Sequence, residues 1–357
     1  MKIAVYSCSL NEEKNAKNWS DCCEGADQKL ILDTGSTDNT VQLLKDNGVQ
    51  VCHANIRPWR FDDAFNMALN CLDDDVDVAV RLDLDERLTP YWRDHLEAVW
   101  TPETTRLHYR YIWNWTEQGL PDRAFYADRI CGRHTHRWKN PTHETLIATV
   151  PEVFSTCHEL LIEHYPDWSK GRPNDIPLLQ LGASEDPFGD RIAHYLGREY
   201  YFKGDYQAAV QELRRHLQLP SARWLPERAA SLRYMGKCYE HLSQPRLAYN
   251  SYVLATLEDV ESREAYTDLA RFLLEQQEWM AVVHFCRKAL QIRPDSLTYI
   301  TERYAREEGP FDLTAVALYH LGQKRSALDF AKQAVKLNPY DKRLQENLRM
   351  IEKECDD

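Results

Sequence analysis

The sequence predicts an α/β domain built on a largely parallel central sheet, followed by an all-α array of repeated helix pairs. Three observations predict this. Over roughly the first 165 residues, short apolar runs rich in β-formers alternate with segments of helical spacing, the pattern of strand–helix–strand units. From about residue 185 onward the spacing is helical only. Within that second part, small residues and prolines return at matched positions with a period of about 34.

The elements follow in order. "KIAVYSCSL" is the first strand, and "NEEKNAKNWSDCCEGA" is a loop that becomes a helix. "KLILD" is a short buried strand and "TGSTDNT" a turn, with Asp38-Asn39-Thr40 placed to cap the helix "VQLLKDNG", which stops at Gly48. "VQVCHA" is a third strand. "FDDAFNMALNCL" is a helix whose Phe61, Phe65, Ala68, Leu69 and Leu72 share one face. "DVAVRLDLD" is a fourth strand. Ligands of such sheets gather at the carboxyl ends of the strands, where Asp33 and Asp83 fall.

In the second part, "HYLGREYYFKGDYQAAVQEL" and "LRYMGKCYEHLSQPRLAYNSYVLA" carry Gly197 and Gly236 in matching places. Two further stretches repeat the pattern and end in Pro294 and Pro339. Ala209, Ala248, Val282 and Ala327 align at offsets of 39, 34 and 45 residues. A helix pair of this length, with a small residue where the helices cross, is the tetratricopeptide pattern. Four units bury a continuous core by stacking, and "YDKRLQENLRMIEKE" supplies a polar capping helix. The expected boundaries are a first domain at 1–170, a proline-rich linker at 171–186 that becomes helical at "DIPLLQL", and the repeats at 187–357.

Composition narrows the function. The 357 residues are 43% hydrophobic and 28% charged, a globular profile, and no apolar run is long enough to cross a membrane. The N-terminus reads as a strand and not as a secretory leader. Ten cysteines with irregular spacing therefore read as free thiols in a cytoplasmic setting. "CGRHTH" holds Cys131, His134 and His136, but no second cluster completes a zinc site. A net charge of −12 argues against a generic nucleic-acid binder. Locally the balance reverses: Arg106 to His143 holds seven Lys/Arg against three acids, with four histidines and several aromatics. That segment reads either as a solvated loop face or as a site for an anionic or ring-shaped ligand.

The sharpest local feature is "RLDLDERL", residues 81–88, where Asp83, Asp85 and Glu86 crowd together. Such a knot is either a solvated turn or one edge of a divalent-cation site, since Mg²⁺ and Mn²⁺ take carboxylate oxygens. Asp33, followed by a Gly-Ser turn that lets backbone approach closely, is placed to accept hydrogen bonds from a base or ribose. Arg60 follows the third strand and is placed to hold a phosphate.

"SLNEE", "LDTGSTDNT", "FDDAFNMALN", "RLDLDE", "NPTHETL" and "IEHYPD" come in an order that resembles family 2 glycosyltransferases of the GT-A (Rossmann-like) fold. The chain is similar to the subgroup in which a short catalytic domain precedes tetratricopeptide repeats, as in peptide glycosyltransferases of the sublancin type. The resemblance spans roughly residues 1–340. It implies a metal-dependent, inverting transfer of a sugar from a nucleotide-sugar, UDP-linked, to an acceptor. By it, Ser9, Leu10, Asn11 and Glu12, with Asp33, Ser36 and Asp38, cradle the nucleotide, helped by Arg60, Asp83 and Leu84. Asp83, Asp85 and His164 hold Mn²⁺ or Mg²⁺, and Glu144 is the general base, with Trp138 and His143 on the acceptor side. His164 also reads as a hydrogen-bonded core histidine. One departure is Ala64-Phe65-Asn66, where relatives have Ala-Arg-Asn; Arg60 or Arg81 then replaces the missing charge.

The acceptor implied is a protein, peptide or glycan held with help from the repeats, or a modified base in DNA. Oligomerisation through the repeats is compatible with the pattern. Two other functions compete. One is a non-catalytic adaptor whose repeats bind a partner beside a relic glycosyltransferase domain. The other is a nucleotidyltransferase, which usually carries a glycine-rich basic loop where this chain has the acidic "SCSLNEEKN".

Overall fold

The structure, a computed structural model, describes residues 1–167, 174–293 and 298–356. The chain divides into two units, the first centred on Met1–Glu185 and the second on Asp186–Ser296 with Ile300–Asp357. Among the described residues no helix is long and apolar enough to cross a membrane.

The first unit opens with β1 (Ile3–Ser9), α1 (Glu13–Cys22), β2 (Gln28–Asp33), α2 (Thr40–Asp46), β3 (Gln50–His53), α3 (Phe61–Asn70) and β4 (Val78–Arg81). β5 (Glu86–Leu88), α4 (Trp92–Val99), β6 (Arg106–Trp115), β7 (Pro121–Gly132), β8 (His136–Lys139), β9 (Thr145–Ala148), β10 (Phe154–His164) and α5 (Ile176–Glu185) follow. Strand alternation sorts the core onto two faces. Ile3 and Val5 of β1 join Trp19 and Leu44 on one side. Ala4 and Tyr6 join Ala68 and Leu69 on the other. The helices thus cover both faces of the sheet.

Eight strands form that sheet in the order β3-β2-β1-β4-β7-β6-β10-β5, while β8 and β9 form a separate pair. β3, β2, β1 and β4 run parallel, as expected. The rest corrects the largely parallel expectation. β7 is antiparallel to β4 and β6, β6 is parallel to β10, and β5 is antiparallel to β10. The cause is local: β6 and β7 are joined by a tight turn over Thr116–Leu120, closed by Thr116 N–H to Leu120 O at 2.8 Å, with Gly119 at φ +74°. A turn that short joins only antiparallel neighbours. The expected fourth strand also ends early, at Arg81, and residues 82–85 form the turn into β5. Asp38 caps α2 from one place earlier than the cap position, accepting from Thr40 N–H at 3.0 Å.

The second unit is four helix pairs: α6 (Asp190–Lys203) with α7 (Tyr206–Gln218), α8 (Leu225–His241) with α9 (Pro245–Glu258), α10 (Arg263–Glu275) with α11 (Trp279–Gln291), and, after the four-residue α12 (Arg303–Arg306), α13 (Gly309–His320) with α14 (Lys324–Leu337). α15 (Lys342–Asp356) closes the array and buries Leu344 and Ile351. Ala209, Ala248, Val282 and Ala327 are each 0% exposed, one per pair. A Cβ on Gly197 would meet Leu213 Cγ at 2.6 Å, and one on Gly236 would meet the Tyr252 ring at 2.6 Å. That close approach is why the first helix of each of these pairs needs a small residue there. Each pair turns through a left-handed residue: Gly204, Ser243, Gln277 and Gly322, at φ +83°, +56°, +60° and +73°. This is a tetratricopeptide-type array, and α12 with its flanks accounts for the 45-residue offset. Of the expected linker, residues 171–173 lie outside the described residues; the segment from Ile176 is α5, which belongs to the first unit.

Candidate functional site

The acidic knot lies at the carboxyl end of β4, and its neighbours are arginines. The antiparallel register pairs Val80 with Ile130, so the next step sets Arg81 beside Arg129. Two cations held side by side repel unless acids intervene. Asp83, Glu86 and Glu144 supply them. Arg81 Nη2 donates to Asp83 Oδ2 at 3.0 Å, and Arg81 Nη1 lies 2.5 Å from Glu144 Oε1. Arg129 Nη1 donates to Asp83 Oδ2 at 3.2 Å and its Nη2 to Glu86 Oε1 at 2.5 Å. Tyr111 Oη donates to the same Glu86 oxygen at 2.6 Å. The Glu86 Oε2 accepts from Asp83 N–H at 2.8 Å and so closes the turn. The guanidinium of Arg81 stacks 3.6 Å above the Phe65 ring and 4.8 Å from Trp138.

The pKa shifts follow from this arrangement. Burial pushes the Asp83 carboxyl up, but the charges of Arg81 and Arg129 outweigh it and hold the group below the usual carboxylate range. For Glu86, at 1% exposed, burial wins over Arg129 and the pKa stands above the ordinary glutamate value.

Asp85 and His164 form the other edge. His164 Nε2 lies 3.2 Å from Asp85 Oδ2, and its Nδ1 lies 2.7 Å from Trp113 O. Burial pushes the imidazole pKa down, yet the hydrogen bond to Asp85 raises it above the ordinary histidine value. Asp83 is bound to two arginines, and Asp85 and His164 to each other. Among the described residues no group of three or more His, Cys, Asp or Glu is arranged to hold a metal ion. Mn²⁺ or Mg²⁺, which takes one or two carboxylates together with substrate phosphates, would compete here with Arg81 and Arg129 for Asp83 and with His164 for Asp85.

The expected nucleotide loop is stitched to itself. Asp33 is 2% exposed and accepts from Ser9 Oγ at 3.1 Å, Gly35 N–H at 3.1 Å and Ser36 N–H at 3.0 Å. Burial pushes its pKa up, but these bonds hold it below the usual range. Asn11, at φ +56°, donates its N–H to Ser36 Oγ at 2.9 Å, and its side-chain oxygen accepts from Thr37 N–H at 2.8 Å. Glu12 N–H donates to Thr40 Oγ1 at 2.7 Å, and Glu13 N–H to Asp38 Oδ2 at 3.3 Å. Leu10 is exposed and Leu84 buried. So Ser9, Asn11, Glu12, Asp33, Ser36 and Asp38 do come together, as hydrogen-bond partners in one braced double loop.

The remaining expected residues are separate. Arg60 places its fork on Asp62, at 2.8 Å twice, and on Glu185, at 2.7 and 3.1 Å. Trp138 is 4% exposed, donates its indole N–H to Tyr6 Oη at 2.8 Å, and packs on Phe65, so it is a core ring and not an open stacking face. His143, at φ +49°, lies 3.7 Å from Asp175 Oδ2. Each of the ten cysteines is a free thiol. Sequence reasoning placed Glu86 in the acidic knot without a role, and Arg129 and Tyr111 in the basic, aromatic segment, and missed that the three meet. The signal was the apolar–polar alternation of "RLHYRYIWNW", which marks 106–115 as a strand and brings its neighbour's arginine to β4.

Comparison with known proteins bears on the family. No family model matches the chain, and no curated protein does. Among solved structures, the chain is similar to MamA (16% identity, TM-score 0.38, covering 46% of this chain and 86% of that one). It is also similar to PilF of Pseudomonas aeruginosa (14%, 0.39, 50% and 72%) and to YrrB, a TPR protein (14%, 0.37, 49% and 81%). The resemblance to family 2 glycosyltransferases finds no match among family models or curated proteins and is withdrawn as a family assignment, and the expectation of a transferase goes with it. The motif order remains in the sequence, but the acids it singles out are engaged within the chain.

Proposed function

We propose that this chain is a non-catalytic binding protein, an adaptor whose helical repeats take a peptide or protein segment. The observation that carries the reading is the engagement of the acids. Glu144 is paired with Arg81, and Asp83 with Arg81 and Arg129, so the groups expected to do chemistry are ion-pair partners that brace the carboxyl edge of the sheet. The array has the features of a recognition surface instead. Its first helices, α6, α8, α10 and α13, carry charged and aromatic side chains, with Phe202 on α6 48% exposed. Repeats of this build stack into extended surfaces, and such surfaces suit an extended or helical segment.

The test is a selection of displayed random peptides on the whole chain, followed by calorimetry of the selected peptides. Phe202→Ala and, on α8, Lys237→Ala, whose ammonium lies 3.3 Å from Asp268 Oδ2, should each weaken binding several-fold. Peptides that bind both variants as well as the parent, or that protect the sheet unit instead of the helices, would refute the reading.

A further inference from the structure

The connection between the third and fourth helix pairs carries charges that match the seam on which it lies. Arg233 and Lys237 are one turn apart on α8, and Glu264 and Asp268 one turn apart on α10. Across the seam Arg233 Nε donates to Asp268 Oδ2 at 2.8 Å, and Lys237 Nζ lies 3.3 Å from that oxygen. This leaves two cations facing one acid on α8's side and Glu264 a turn away.

The connection completes both ends. Glu302 Oε1 accepts from Arg233 Nη2 at 2.6 Å and stands 3.9 Å from Lys237 Nζ. Four residues later, within the turn of α12, Arg306 Nε donates to Glu264 Oε1 at 3.0 Å. Two backbone contacts lock the arrangement: Glu302 N–H to Glu264 Oε1 at 3.2 Å, and Arg263 Nη1 to Arg306 O at 2.9 Å. The helix side of the site is desolvated, with Arg233 4% and Glu264 5% exposed, while the Glu302 side chain keeps 32% exposure. The acid goes to α8 and the base to α10.

We infer that residues 300–308 are a built-in occupant of a binding seam between α8 and α10, and that they copy its ligand: a helical turn with an acidic residue followed four positions later by a basic one. This rests on the peptide-binding reading of the array and adds to it the seam, the motif and the element that keeps the seam closed. The physical reason is exchange. A rival segment with the same two charges replaces Glu302 and Arg306 without leaving any buried charge unpaired, whereas a segment lacking either charge leaves one. A closed seam lowers the apparent affinity for such a rival by the fraction of molecules that are open.

The test uses the full chain, the double variant Glu302→Gln/Arg306→Gln, and a synthetic peptide of residues 300–308. Without peptide, hydrogen exchange across 300–308 should quicken about tenfold or more in the variant, while the α8 and α10 amides keep their protection. By fluorescence anisotropy, the variant should bind the peptide at least about tenfold tighter than the parent does. A control peptide with glutamine at both positions should bind neither. Glu302→Gln alone, nearly isosteric, carries the same test if the double variant loses its helical circular dichroism. Unchanged exchange with unchanged peptide affinity would show a fixed strut and overturn the inference. Quickened exchange without peptide binding would overturn it too, and would leave the adaptor reading standing on peptides that bind elsewhere on the array.

Discussion

Replacing Arg81 by methionine isolates the brace at the end of β4. The Arg81 side chain is 6% exposed and pairs with Glu144, 11% exposed, and with Asp83, 31% exposed. A unit-charge pair at about 4 Å interacts with roughly 4 kcal/mol at an effective dielectric near 20. Two corrections reduce that figure. Asp83 keeps Arg129, and the variant no longer desolvates a guanidinium. Methionine also retains packing against Phe65, over which Arg81 stacks at 3.6 Å. The main loss is Glu144 left buried without its partner, and removing one member of a buried pair costs about 3–5 kcal/mol. We expect a loss of about 3 kcal/mol from the sheet unit at pH 7, taken at the lower end of that range. Adding Glu144→Gln should recover roughly half, because it removes the orphaned charge. The deficit should also shrink as pH falls, since protonation removes the charge of the orphaned Glu144. The assay is urea unfolding at pH 7 and pH 4, read by hydrogen exchange in β1 and β4. A loss below about 1 kcal/mol for Arg81→Met, or no recovery with Glu144→Gln, would refute the account of the brace.

Other predictions follow from single environments. His164 titrates above its ordinary 6.5, so its stabilising contribution is complete below about 6.5 and is lost as pH rises through the folded-state value. Asp85→Asn should move the His164 resonance titration downward, and an unchanged titration would remove Asp85 as the cause. His194 on α6 is 0% exposed, and burial pushes its pKa down to about 3. The unfolded chain therefore binds this proton first, and the helical unit should lose stability as pH falls from about 6.5, by up to about 1.4 kcal/mol per unit. His194→Gln should flatten that slope in acid-unfolding curves; an identical slope would refute the assignment. Gly236→Ala drives a methyl to within 2.6 Å of the Tyr252 ring and should cost about 1–3 kcal/mol in thermal unfolding. Gly322→Ala, at φ +73° with open space around it, should cost only about 1 kcal/mol.

The fold was legible wherever its cause is local. Period-two runs place β1 to β4, helical spacing places α1 to α3, and the repeat places all four helix pairs. The left-handed turns at Ser243 and Gln277 were less legible, because tertiary packing imposes there a conformation that Gly204 and Gly322 adopt freely. The segment from Arg106 to Trp115 was read for its charge and aromatics, and its alternation was passed over. That cost the antiparallel half of the sheet.

The sequence by itself determined two units, the strands that end near Asp33 and Asp83, and the repeating array. It also determined that three acids crowd after β4. Only the tertiary structure decided what those acids do. Arg129 reaches Asp83 and Glu86 because β7 pairs with β4 in one register, and Glu144 reaches Arg81 from beyond the β8 strand. A motif records which charges are present. Whether a carboxylate is open to a ligand or paired with an arginine depends on contacts between residues distant in the chain.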